Sequence, residues 1–300
     1  MAYSSGSEYD PRLEDATSFG VADTLLLRVP RDVQISQSAR TRVQSADPNQ
    51  GRCLIENCAE YRCVEFCHCF PSSQRKDLIW LTRRKLSNIE WHWNMQKYTL
   101  NLDTRRNIFR AGAAMHGLHA KNAWLLLPEE HIINKYHETV KDTIDGPIAE
   151  RQSFPNIPDQ NDFEYRFVPL LPAMKTIAIH RQLGTQAADS ELMPNDFVTY
   201  IHPFNAMPKL TSHLHPKFAI LEAGRKLGVI APPFLLEVVA EYPILQKALV
   251  IYAAWTCQCP ADAQNDPSYN PPDNHDGDDD DDGNNGGDND ADSAVRTIPD

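Results

Sequence analysis

No apolar run in this chain is long enough to cross a bilayer, which takes about 20 residues in a helix. The longest run near the C-terminus, Ile244 to Trp255, is broken by Gln246 and Lys247, so no transmembrane segment and no membrane partner are expected. A secretory leader is also missing: the first thirty residues are polar and acidic, and their apolar run is only Leu25 to Leu27. The expected location is therefore intracellular, in nucleus or cytoplasm. The seven cysteines, at positions 53, 58, 63, 67, 69, 257 and 259, are odd in number. Without export a disulfide framework is not expected, which leaves metal ligation or reduced, buried thiols.

An excess of basic charge is lacking too, but the shortage is local. The formal net charge is -12, and the stretch from Asp262 to Asp300 holds 13 acidic residues against one basic residue, Arg296. Of the 29 Lys plus Arg and 41 Asp plus Glu in the whole chain, the body keeps 28 of each. The body is neutral, so the acidic pI belongs to the tail and does not exclude nucleic acid as a partner.

What is present begins with 41% apolar residues in a chain of 300, enough for one large domain with an extension. Residues 1–45 read as a variable segment with a short strand at Thr24 to Val29 and a helix at Ala39 to Ala46, closed by Asp47-Pro48. Arg52 to Ile55 and Tyr61 to Cys67 read as the two strands of a β-hairpin. Alternation on the second puts Cys63, Glu65 and Cys67 on one face and Val64, Phe66 and His68 on the other.

Gln74 to Trp93 has apolar residues at helical spacing and carries Arg75, Lys76, Arg83, Arg84 and Lys85. That basic surface is either a solvated helix face or a contact for phosphates. Ile108 to Lys121 favours helix through its alanines, and Ala123 to Leu127 reads as a strand. Phe163 to Ile179 and Asp196 to Ile201 read as strands. Phe218 to Lys226 reads as a helix capped by Gly228, and further helices are expected across Phe234 to Glu241 and from Pro243 to Trp255. The Arg225-Lys226 pair reads as a solvated helix end or a backbone contact, and His213 and His215 as packing residues. From Pro260 the chain is acidic and of low complexity and is expected to be disordered.

The order RCLIENCAEYRCVEFCHCFP, then LNLDTRRNIFRAGAAMHGLHAKNAWLLLP, resembles the HNH endonuclease domain, the ββα-metal or His-Me finger nucleases, in the form common among fungal proteins. The resemblance covers residues 52–128 well and continues loosely to KLTSHLHPKFAILEAGRKL. It implies an α+β fold: a ββα-metal core over 46–140 with a helical insertion, an α+β extension over 141–259 packed on it, and the tail at 260–300. It also implies a DNA endonuclease, with RNA not excluded as substrate.

Phosphodiester hydrolysis needs a base for the water proton and a cation to stabilise charge at phosphorus and at the leaving oxygen. An imidazole, with an ordinary pKa of about 6.5, suits the base. Matched to the family, His68 is the base, Asn107 orients the motif, and His116 binds one divalent ion, Mg, Mn, Ni or Zn. His119, at i+3 from His116, reads as a further ligand. Cys67 stands where many members have Asp or His as a ligand, and Ala120 where fungal members often have an acidic residue. Glu65 or Asp103 would then complete the metal shell. Cys53, Cys58, Cys63 and Cys69 read as either structural zinc ligands or buried thiols. The alternative reading is a catalytically degenerate module on the same scaffold that binds nucleic acid or another partner and holds zinc in its Cys cluster. Oligomeric state is not legible.

Overall fold

The computed structural model describes residues 35–71, 79–140, 154–155, 157, 161–184 and 191–270, with the backbone alone over 79–83. The expected strand at Thr24 to Val29, the segment 74–78 and the acidic run at 278–282 lie outside the described residues.

The segment around Cys67 finds its strand partner downstream. β1 (Val64–His68) pairs antiparallel with β2 (Ile108–Gly112), with Glu65 opposite Ala111 and His68 opposite Ile108. This corrects the expected hairpin. Arg52 to Ile55 is no strand but part of a tight loop, closed by Asn57 N–H to Cys53 O at 2.8 Å and Cys53 N–H to Cys58 O at 2.9 Å. Asn57 there adopts a left-handed φ of 52°, which Asn tolerates better than most residues. It also corrects the helix expected from Ile108: the alanine-rich helix α3 (Ala113–Ala120) starts only after Gly112, its N-cap. The residues before it, Ile-Phe-Arg-Ala, form ladder hydrogen bonds with β1, and tertiary pairing overrides their helix propensity.

The first helix, α1 (Gln37–Ala46), is started by Ser36, whose Oγ accepts from Ala39 N–H at 3.2 Å. It buries Ala39 and Val43 against Ile108, with Phe66 packed alongside, so α1 covers the Phe66 face of the β1–β2 pair. The other face is covered by α3, which packs against both strands. Behind α3, β3 (Trp124–Pro128) leads a three-stranded antiparallel sheet with β4 (Phe163–Pro169) and β7 (Leu210–Ser212), in the order β3-β4-β7. β5 (Ile179–Gln182) and β6 (Phe197–Tyr200) form a separate antiparallel pair.

Helices close the far side: α2 (Ile79–His92), α4 (Glu130–Val140), α5 (Pro216–Leu227), α6 (Pro232–Glu241) and α7 (Leu245–Thr256). Pro at the first turn of α5 and α6 fits a position whose N–H has no helical partner. α5 is started by His215, whose ring accepts from Lys217 N–H, and His213 is buried beside it. One apolar core runs from Cys53 to Trp255, so the described residues before and after position 140 share it. Within it Trp255 meets Trp93, Tyr136 and Phe154 at ring centroid distances of 5.2 to 5.7 Å, close enough for favourable edge contacts.

Among the described residues the architecture is thus α+β, with seven α-helices and small antiparallel sheets. No helix of the described residues is long and apolar enough to cross a membrane. The stretch after Pro260 packs where disorder was expected: a 3-10 turn at Ala261–Asn265 leads to Tyr269, fully buried with its ring edge-on to Trp91 at 5.2 Å. Residues 271–300 lie outside the described residues.

Candidate active site

Asn107 sits immediately before β2 and is fully buried. Its Oδ1 accepts from Phe70 N–H, and its Nδ2 donates to the carbonyls of Phe70 and Leu102, all at 2.9 Å. Cys69 N–H adds a bond to Asn107 O at 2.7 Å. The amide therefore clamps the residues just after His68, as an orienting Asn would. A buried amide with both ends satisfied is a rigid anchor.

His68 ends β1 on the face that α1 covers. Its Nε2 lies 3.6 Å from Asp103 Oδ1, and the ring is 15% exposed. Asp103 is tied down by Ser36 N–H, which donates to Oδ2 at 3.0 Å. Burial alone would raise the Asp103 pKa, but the His68 ring and Ser36 outweigh it and leave it lowered. The carboxylate is thus anionic at neutral pH and faces the imidazole.

His116 projects from α3 to the opposite face of β1. Its Nδ1 is 2.6 Å from Glu65 Oε2, and both side chains are partly exposed. At this distance the two groups are hydrogen-bonded to each other, and both are residue types that can serve as ligands to a divalent ion.

Cys67 and His119, the other two expected ligands, meet each other instead. Cys67 Sγ lies 3.7 Å from His119 Nδ1, both buried, one turn along α3 from His116. Burial pushes the Cys67 thiol far up, and burial with Lys226 and Arg225 pushes His119 well down. Both groups are therefore neutral. On the far side of the ring, His119 Nε2 is 3.8 Å from Glu222 Oε1.

Glu222 in turn pairs with Arg225 Nε at 2.6 Å and Lys226 Nζ at 3.3 Å. Lys226 is fully buried, donates to Trp124 O at 2.7 Å, and is held down to about 8 by burial. A solvated helix end or a nucleic acid contact does not describe Lys226, which is buried against Glu222; Arg225 also pairs with Glu222 but stays partly exposed. Glu222 escapes sequence reading because nothing local marks a carboxylate more than 100 residues from its imidazole.

The cysteines separate as well. Cys53 and Cys58 come together with Glu56, their ligand atoms within 4.8 Å of one another, a group that could hold a metal ion. Cys63 is exposed, and Cys69 is buried with its thiol pushed up by burial. Glu56 was not among the expected ligands, although its place between two cysteines was the signal for it. Of the basic residues on α2, Arg84 and Lys85 are exposed, and Arg84 donates to Gln258 Oε1 at 2.5 Å. Arg75, Lys76 and the side chain of Arg83 lie outside the described residues.

These pieces lie along one ββα run: His68 at the end of β1, Asn107 entering β2, His116 on α3. No protein-family model, curated protein or solved structure matches the chain.

Proposed function

We propose that this chain is a metal-dependent endonuclease of the ββα-metal type that hydrolyses phosphodiester bonds in DNA. The observation that carries this reading is Asn107, buried and triply bonded to the segment that follows His68, at the start of the strand that leads into the helix carrying His116. His68 is the general base. Its Nε2 faces an anionic Asp103, which favours the tautomer protonated at Nε2 and leaves Nδ1 to take the water proton. Glu65 and His116 would hold the divalent ion, which supplies the Lewis acid that stabilises charge on the phosphoryl group. Arg84, which also donates to Gln258 Oε1, and Lys85 are exposed and would contact DNA phosphates.

A second reading is favoured by the small donor set. Cys67 and His119 are neutral and buried together, His116 pairs with Glu65 among the described residues, and His68 lies on the opposite face of β1 from that pair. Under that reading the scaffold binds nucleic acid, DNA or RNA, without cutting it.

The test is nicking of supercoiled plasmid by the full chain with Mg, Mn, Ni or Zn ions. Metal-dependent nicking should fall by about 10²–10⁴-fold in His68→Ala and be lost in His116→Ala. No nicking with any ion, while DNA or RNA still shifts on a gel, leaves the binding module. No nicking and no shift would sink both.

A further inference from the structure

The loop that replaces the expected first strand is built around a sulfur atom. Cys53 is fully buried, and two backbone N–H groups point at its Sγ, from Glu56 at 3.2 Å and from Gly112 at 3.1 Å. Glu56 Oε2 lies 3.6 Å from the same sulfur, and Cys58 Sγ completes a trio whose ligand atoms all lie within 4.8 Å.

The backbone around this trio is fixed from three sides. Leu54 N–H bonds Arg110 O in β2 at 2.9 Å, and Gln182 N–H at the end of β5 bonds Glu56 O at 2.8 Å. Arg181 donates to Leu54 O at 2.8 Å, and Asn57 Nδ2 donates to Gln182 O at 2.9 Å. Gly112 makes room for the carboxylate, since a Cβ there would sit 2.3 Å from Glu56 Oε2. Any larger residue would evict the carboxylate or shift the strand.

Two amide hydrogens aimed at one buried sulfur are the contacts that a metal-bound thiolate accepts. Two sulfurs and one carboxylate oxygen form a soft donor set that prefers zinc to magnesium. Zinc bonds to sulfur and oxygen run about 2.0–2.3 Å, which puts neighbouring tetrahedral ligands roughly 3.5 Å apart. The Cys53–Glu56 separation of 3.6 Å already matches one such edge.

We propose that Cys53, Glu56 and Cys58 bind one zinc ion, with water as the fourth ligand, which fastens this loop to Gly112 at the start of the helix that carries His116. The site is separate from the Glu65–His116 pair and does not depend on the nuclease reading. Cys63 and Cys69, the other two cysteines expected in a zinc cluster, take no part.

The test uses the full chain, purified under reducing conditions with added zinc, and reads metal content by mass spectrometry and the near-ultraviolet sulfur-to-cobalt band after cobalt exchange. With His116→Ala as the background, which removes the other proposed ion site, about one zinc per chain is expected, lost on adding Cys58→Ser and kept on adding Cys63→Ser, with a cobalt band present in the wild type. Glu56→Gln, at a half-buried position, covers the case in which Cys58→Ser does not fold; it should weaken zinc binding by at least about tenfold. A wild-type chain without zinc and without the cobalt band overturns the site. So does full zinc content in folded Cys58→Ser, unchanged zinc affinity in Glu56→Gln, or a Cys53–Cys58 disulfide found by peptide mapping of protein kept unreduced.

Discussion

Asn107 and His213 show how differently two buried polar residues can be maintained. Asn107 has partners for both ends of its amide, so it contributes order without a penalty for burial. His213 is 1% exposed, and burial pushes its pKa down to about 4, against the opposing pull of Asp47 and the Ile108 backbone. Its folded pKa lies below the unfolded value of about 6.5, so between these limits the unfolded chain binds more protons. Stability is therefore full above about pH 6.5 and is lost as pH falls toward 4. We expect a loss of about 2 kcal/mol between pH 7 and pH 5 from this group, with buried His119 and His215 adding to it. Urea midpoints at the two pH values check this. His213→Gln should narrow the gap, and an unchanged gap would remove His213 from the account. At this scale the sequence was most legible at Asn107, whose amide is bonded at both ends beside the segment after His68. It was least legible at Glu222, whose partner on α3 exists only after folding.

Between elements, the closest approach is that of α5 to α7. Gly224 on α5 lies against Tyr252 so closely that a Cβ there would meet Tyr252 Cβ at 2.1 Å and Cγ at 2.4 Å. Those atoms belong to the stem of the ring and cannot swing aside. Gly224→Ala would gain up to about 1 kcal/mol of helix propensity, but overpacking of this kind costs about 1–3 kcal/mol, and this contact is at the severe end. A net loss near 2 kcal/mol is expected, seen as a fall of roughly 5 °C in the thermal midpoint. A rise would mean the helices separate freely. Sequence patterns located α1, α5, α6 and β6 because caps, prolines and alternation are local signals. They misplaced β2 because Ile108–Gly112 becomes a strand only when β1 lies beside it.

For the whole molecule, the ordered body extends past Pro260. Tyr269 donates from its hydroxyl to Ser87 O at 3.0 Å, and its carbonyl accepts from Lys97 N–H at 2.7 Å, so this segment straps α2 to the chain after it. Ending the chain after Asn270 should leave stability unchanged. Ending it after Cys259 removes Tyr269 from Trp91 and should cost about 3 kcal/mol, the scale of losing a buried aromatic side chain. Denaturant unfolding of the two truncations decides this, and equal stabilities would make the strap incidental. Acidic composition hid this boundary, because a single anchoring Tyr barely changes the average over a polar stretch.

Residue types, their order and local periodicity determined by themselves the α+β class and most helix positions, because each depends on neighbours within a few positions along the chain. Only the tertiary structure decided which histidine meets which carboxylate. The pleat of β1 turns Glu65 and Cys67 toward α3 and His68 toward Asp103, while helix geometry sends His116 outward and His119 inward. The same holds for Cys53, Glu56 and Cys58: their convergence needs a loop bent by Asn57 and held by β2 and β5. Contacts between segments far apart in sequence are set by packing the common core, and no local pattern encodes them.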